Sequence, residues 1–439
     1  MPSHPISPPP VLDNGLDELP AYLSNGLIGL RVLDIPLRPG VTIVSGLSGR
    51  HPTAGIEAAA RAPYPLGGDI AIDGLWLSES LTRTTFRRQA YDFSCGELLS
   101  EFEFHGEHAR AAVSVLTFCS RTEPTIVLQE VTVRTNSPAN VSIRAGVDPS
   151  GITGEWARPK TATPVEPKPT VDGSLRWRTL GGLSELGVAY VTQSPTPRAE
   201  VMRSEWGEDT PLASEYRFAS GPGEPVTIRQ MTAMVPSQMH PDPDRQAVRL
   251  VSRAQEIGWE QLRADNRTAW AEIWRGRIVL VGAERRWQEI ADAAVFYLNT
   301  SVHAASPSST SIFGLAQWTD YHYYYGHVMW DIETFGIPPL TLFQPYAARA
   351  LLDFRSRSLD AARRNADLHG RRGIQFPWEA SMSAGDEAAP GDGKASWYED
   401  HVSLDVALAF VWHAHLTGDE EFIRSQAWPV VRGVCEWLA

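Results

Sequence analysis

The residues at positions 321–340, YHYYYGHVMWDIETFGIPPL, concentrate side chains suited to carbohydrate chemistry: four tyrosines, two histidines, a tryptophan and the triplet Asp331-Ile332-Glu333. Aromatic faces stack on the C–H faces of a sugar ring, and carboxylates accept its hydroxyls in charge-assisted hydrogen bonds. Trp330, Asp331 and Glu333 are therefore candidate substrate ligands, with Tyr324 and His327 beside them and Tyr323 and Gln375 in a second tier. A later stretch, Phe376-Pro377-Trp378-Glu379-Ala380-Ser381, adds another stacking face in Trp378 and another acceptor in Glu379. A third, Tyr398-Glu399-Asp400-His401, brings His401 to the start of a helix, where it could meet a ligand. The same residue types also suit a buried aromatic cluster, in which Asp331 caps the next helix and Glu333 sits in its first turn. Asp386 and Glu387, taken singly, read as solvated acids on a surface loop. Pro338-Pro339 reads as a stop signal.

Other chemistries find little support. The 12 histidines make no metal set: His413 and His415 lie two apart on a helix and diverge, and no HExxH is present. No Walker motif or glycine-rich dinucleotide turn is visible, so no cofactor is expected. A formal net charge of -13 argues against nucleic acid and anionic membrane surfaces as partners and favours a neutral small molecule. The proline-rich start lacks a basic segment and an apolar core, so it does not read as a signal peptide, and no apolar run approaches a membrane span. The 3 cysteines have neither metal nor redox spacing, which points to free thiols and a cytoplasmic location.

The elements that must position these residues follow in order. Residues 1–18, with three consecutive prolines at 8–10, read as a disordered lead-in. Asn25-Gly26 between apolar flanks is a hairpin signal, and β-like alternation then persists to about 240. The stretches 125–134 and 141–147 each predict a strand with one wet face, so 19–240 reads as a large antiparallel β-sandwich. Apolar residues at three- and four-residue steps predict a helical linker over 241–283, including a short β-like piece at 277–281. Helices are expected over 285–304, 334–343, 345–356, 359–368, 400–416 and 419–438. Helical hairpins with chemistry on one set of loops suggest a helical barrel or toroid.

Taken together, Gly326-His327-Val328-Met329-Trp330-Asp331-Ile332-Glu333, Pro345, Ala348-Arg349-Ala350, Arg355-Ser356-Arg357, Asn365-Ala366 and Phe376-Pro377-Trp378-Glu379-Ala380 resemble glycoside hydrolase family sixty-five, and Ser24-Asn25-Gly26-Leu27-Ile28-Gly29 resembles its opening turn. That family contains acid trehalases, the glucosidase of glucosylgalactosyl-hydroxylysine, and phosphorylases of maltose, kojibiose, trehalose and nigerose. The resemblance implies an N-terminal β-supersandwich, a helical linker and the first part of an (α/α)6 barrel at 284–439, often paired as a homodimer.

It also implies inverting cleavage of an α-linked glucoside, in which an acid protonates the leaving oxygen while water or phosphate attacks from the opposite face. Hydrolysis is the first expectation. Phosphorolysis, with inorganic phosphate as co-substrate, is the second. Trp330 and Asp331 take the part of floor and hydroxyl clamp of the glucose subsite. The resemblance places the general acid and base downstream of Ala439, so the chain is expected to be a truncated product or a fragment, and a sugar-binding remnant without turnover is a third reading.

Overall fold

The structure, a computed structural model, describes residues 11–14, 21–157, 171–197, 199–203, 212–316, 324–389 and 398–439. An antiparallel sheet of nine strands dominates the first half. In spatial order it runs Val11–Asn14, Thr84–Asp92, Glu97–His105, Arg110–Cys119, Ile126–Thr135, Pro225–Pro236, Glu185–Gln193, Gly173–Thr179 and Gly154–Trp156. A five-stranded sheet faces it. Alternation supplies the sandwich core, with Val113, Val131, Val133 and Ile228 from the large sheet meeting Ile70, Val141, Ile143 and Phe218 from the small one.

Two expectations change here. Residues 11–14 do not belong to a disordered lead-in: their backbone pairs with Thr84–Asp92, from Val11 opposite Asp92 to Asn14 opposite Gln89. The N–H and C=O groups along that strand give residues 11–14 a template to pair with. Nor does the strand Ile126–Thr135 keep a wet face throughout. Ile126 and Leu128 are fully buried because the linker helices α1 (Pro243–Ile257) and α2 (Trp259–Trp274) cover that side of the sheet. Ala247, Val251 and Ala254 of α1 lie on the packed face at helical spacing. The approach is close: a Cβ added at Gly187 would stand 2.0 Å from the Pro243 carbonyl carbon.

The stretch at 277–281 is not a strand. Its backbone is tied instead to Gln288 of α3 (Arg285–Ser301), which accepts from Leu280 N at 2.9 Å and donates to Ile278 O at 2.9 Å. After α3 come α4 (Ile337–Phe343), α5 (Pro345–Arg357), α6 (Leu359–Leu368) and the helices His401–Thr417 and Trp428–Leu438, packed around a second core that includes Ile337, Leu351, Phe376, Phe410 and Val430. Pro338 and Pro339 do not stop a helix. They lie at the start of α4, and the helical backbone runs into it from the preceding turn Ile332–Gly336, which widens to π geometry.

A third sheet of four strands, Ala21–Ser24, Ile28–Val32, Val41–Arg50 and Glu57–Ala62, joins the two halves. The expected hairpin is present, with Ala21 opposite Val32 and Ser24 opposite Gly29. Its turn is a junction. Asn25 accepts from Leu27 N and Ile28 N and donates to Ser120 O and Pro124 O. Gly26, at φ 89°, presses on Val302, where a Cβ would come within 2.2 Å of backbone. The buried Arg121 donates to Asn25 O at 3.2 Å and to Asn299 O at 2.6 Å, while Ser24 Oγ donates to Thr300 O at 2.8 Å. Burial lowers Arg121 to about 10, still a cation at neutral pH. Arg121→Ala is expected to leave two buried carbonyls unpaired at about 1–3 kcal/mol each. Urea unfolding should show the loss, and Arg121→Lys should recover part of it.

Candidate active site

The aromatic residues meet through a short ribbon. Val328 pairs with Ala380 and Met329 with Glu379, and Trp330 and Trp378 each lie one residue beyond the paired positions. Both tryptophans are half-buried, as a stacking platform must be. The Tyr324 ring lies edge-on to Trp378 at 6.4 Å, and the His401 ring lies edge-on to Trp330 at 4.7 Å. Trp330, Asp331, Trp378, Tyr324 and His401 are thus half-exposed residues around one seam. Tyr323 lies outside the described residues.

Asp331 does not cap the following helix. Its backbone is already helical, at φ -54° and ψ -33°, and its side chain makes no capping hydrogen bond. The carboxylate is half-exposed, without a hydrogen-bond partner among the described residues, and is open to a ligand.

Glu333, two positions on, is withdrawn from any ligand. It is buried and accepts from Arg355 at 2.8 and 3.0 Å through both carboxylate oxygens. The π turn that carries Asp331 outward carries Glu333 inward. Glu379 and His327 are likewise buried: His327 Nδ1 stands 2.7 Å from Glu379 Oε2, and its Nε2 stands 2.7 Å from Glu57 O. All three expected substrate ligands are thus buried and held by protein partners, unlike the half-exposed Asp331, and Glu379 is engaged through Oε2. Gln375 also sits in the core, accepting from Trp437 Nε1 at 3.3 Å.

Glu387 departs from the solvated-acid reading. Its carboxylate accepts from Trp378 N at 2.9 Å, Glu379 N at 3.2 Å and Ala389 N at 3.0 Å, and so shapes the turn that carries Trp378. Burial raises its pKa above the usual carboxylate value despite these donors. Asp386 is a surface acid, paired with Arg364 at 2.6 Å. Sequence reasoning gave Arg355 no role and missed Glu57 and His51. Arg355 lies in the Arg355-Ser356-Arg357 stretch that carries the resemblance, but its 22-residue separation from Glu333 gives no local signal of the pair. Glu57 and His51 are more than 250 positions from their partners, and nothing local marks them.

No group of three or more metal-ligating side chains occurs among the described residues, and no described helix is long and apolar enough to cross a membrane. A two-layer β-sandwich followed by packed helices thus carries two half-buried tryptophans and a half-exposed carboxylate near the ribbon of the helical half.

Comparison with known proteins makes this specific. Residues 11–273 match the glycosyl hydrolase family 65 N-terminal domain, and residues 289–437 match the family's central catalytic domain. The chain belongs to glycosyl hydrolase family 65. It is 30% identical over 220 residues to the kojibiose hydrolase of Flavobacterium johnsoniae, an alignment covering 49% of this chain and 31% of that protein. It is 25% identical over 428 residues to the kojibiose phosphorylase of Escherichia coli, covering 91% of this chain and 54% of that protein. A solved structure from the human microbiome, provisionally identified as a kojibiose phosphorylase, superposes with a TM-score of 0.79 at 15% identity, over 95% of this chain and 56% of the other. The chain spans about half the length of such relatives, or less.

Two predictions follow from the geometry. Glu333→Ala strands a buried guanidinium and is expected to cost about 3–5 kcal/mol in denaturant melts, whereas replacing Glu333 and Arg355 together by Leu and Met should keep most of the stability. The second concerns pH. Asp405, at 2.7 Å from Nδ1, and then Glu399 raise His401 above the ordinary histidine value of about 6.5. A raised folded-state value means that the stabilising charge is fully present below the unfolded value and lost as pH rises through the folded one. Trp330 emission should therefore change with a midpoint above the ordinary histidine range. Asp405→Asn should lower that midpoint, and His401→Gln should abolish the transition.

Proposed function

We propose that this chain recognises the glucosyl unit of an α-linked disaccharide or glucosyl conjugate for inverting single-displacement cleavage, with hydrolysis as the reaction. The observation that carries this reading is the half-exposed Asp331, without a hydrogen-bond partner among the described residues, next to the half-buried Trp330 and near the ribbon that leads to the half-buried Trp378. Stacking fixes the plane of the sugar ring, and one carboxylate accepting two vicinal hydroxyls fixes its rotation within that plane. Tyr324 and His401 border the ring on either side. In the reaction, a carboxylic acid protonates the glycosidic oxygen while a water molecule, activated by a carboxylate on the opposite sugar face, attacks the anomeric carbon. Membership of the family and the relative named kojibiose hydrolase support this reading.

Phosphorolysis is the second reading, favoured by the relative named kojibiose phosphorylase, whose alignment runs along nearly the whole chain. Inorganic phosphate would then attack in place of water, giving β-glucose 1-phosphate from an α-glucoside. No cofactor enters either reaction. The setting proposed is the cytoplasm, with a homodimer as the assembly.

The test begins with kojibiose titrated against tryptophan fluorescence, followed by product analysis with and without phosphate. Saturable quenching is expected, at least tenfold weaker in Trp330→Ala and Asp331→Asn, a change of about 1.4 kcal/mol or more. Phosphate-independent glucose release supports the hydrolase, and phosphate-dependent release supports the phosphorylase. Binding without turnover identifies a recognition unit alone. Wild-type protein that binds neither kojibiose nor trehalose, maltose or glucose overturns the proposal.

A further inference from the structure

Among the described residues, the strand Glu57–Ala62 and the residues just before it carry the β-domain into this seam. Tyr324, Tyr325 and Gly326 all have left-handed backbones, with φ of 48°, 54° and 77°, which two successive tyrosines adopt only when their surroundings hold them there. The β-domain supplies part of the hold. The His51 ring lies edge-on to Tyr325 at 4.9 Å, and Gly326 presses so closely on Ala59 that an added Cβ would stand 2.5 Å from the Ala59 methyl. His327 N closes the turn on Tyr324 O at 2.9 Å. The Glu57 side chain continues the contact by accepting from Ser383 N and Ser383 Oγ at 2.8 and 2.7 Å.

The His327 ring lies between these elements, with its side chain fully enclosed. Its hydrogen-bond logic is determined. Glu57 O is a carbonyl and only accepts, so Nε2 must carry a proton. Nδ1 at 2.7 Å from Glu379 Oε2 then requires one further proton between ring and carboxyl, whichever atom it rests on. One ring thus ties the backbone of the β-domain to the residue that follows Trp378. The same turn is held on its other side by Glu387, which accepts from the N–H groups of Trp378 and Glu379.

We propose that His327 is a positioning residue of the sugar site: by donating to Glu57 O and sharing a proton with Glu379, it fixes the Trp378 turn and the strained Tyr324–Tyr325 turn against the β-domain. The inference rests on the sugar-site reading above and adds to it that the β-domain sets the placement of Trp378 and Tyr324. Deleting the tie frees the two aromatics from each other even though neither is itself changed.

The test uses the full chain, wild type and with His327→Leu and His327→Gln. Hydrogen exchange across 376–383 is expected to quicken at least tenfold in H327L, with the sandwich strand Arg110–Cys119 unchanged and H327Q restoring part of the protection. Kojibiose affinity should fall at least tenfold in H327L and recover partly in H327Q. Nitrogen NMR on the wild-type protein should find Nε2 of His327 protonated at neutral pH, a reading that survives even if H327L does not fold. Unchanged exchange at 376–383 in a folded H327L, or an unprotonated Nε2 in the wild type, overturns the tie itself. Affinity unchanged while exchange quickens overturns its part in sugar placement. Absence of sugar binding by the wild type overturns the sugar-site reading and leaves the tie to be judged by exchange and NMR.

Discussion

The helical half of the molecule depends on how the carboxyl end of α3 is completed. The last carbonyls of any helix lack partners within it, and here they are buried against another domain, so they need donors from outside. The β-domain provides them: Arg121 to Asn299 O, and Ser24 Oγ to Thr300 O. A cation at that end also opposes the helix dipole favourably. Because Asn25 and Gly26 are locked in the same contact, α3 cannot shift without unpairing groups on both sides. The chain beyond α3 follows the same surface, with Ser306 Oγ on Gly26 O and Leu315 N on Tyr22 OH. The four-stranded sheet is therefore the platform from which the chain sets out toward the aromatic turn.

Unusual backbone is concentrated where that path ends. Three successive left-handed residues at 324–326 precede the ribbon, and a π turn at Ile332–Gly336 follows it. The π turn has a simple cause in Pro338 and Pro339, which withhold the N–H groups that regular helix would require there. The same arrangement recurs at Ile423–Ala427 before Pro429, away from the aromatic seam, so a π turn by itself does not mark a site. The left-handed tyrosines are held both locally, by His327 N on Tyr324 O, and from the β-domain, by His51 against Tyr325 and Ala59 against Gly326, which makes the seam a joint product of both halves.

Sequence pattern served best where one element carries its own signal. Period-two alternation located the sandwich strands, and the 3.6-residue period placed α5 and α6 to within a residue. Failures came where a distant partner decides the outcome. The wet face assigned to 125–134 is covered at Ile126 and Leu128 by helices more than 100 positions away, and the strand-like 277–281 finds Gln288 instead of a sheet edge. The site divides the same way. Trp330, Asp331 and Trp378 stand out by type and spacing. The burial of His327, Glu333 and Glu379 depends on Glu57, Arg355 and the ribbon register, none of which a local pattern encodes.

The division among the carboxylates bears on chemistry. Asp331, Glu333 and Glu379 are chemically alike but differently engaged: Asp331 has no hydrogen-bond partner among the described residues, Glu379 meets His327 through Oε2, and Glu333 has both oxygens on Arg355. Inverting cleavage needs two carboxyl groups on opposite sugar faces, about 6.5–9.5 Å apart, with room for a water or a leaving oxygen beside each. Glu333 has both oxygens engaged by Arg355 in a site with no open face, and Glu379 is enclosed with His327. These two acids cannot form that pair without dismantling the contacts that hold the π turn and the Trp378 turn. Glu333 is neutralised in place by Arg355, whereas the half-exposed Asp331 has no hydrogen-bond partner among the described residues, and a neutral sugar's hydroxyls suit it as partners.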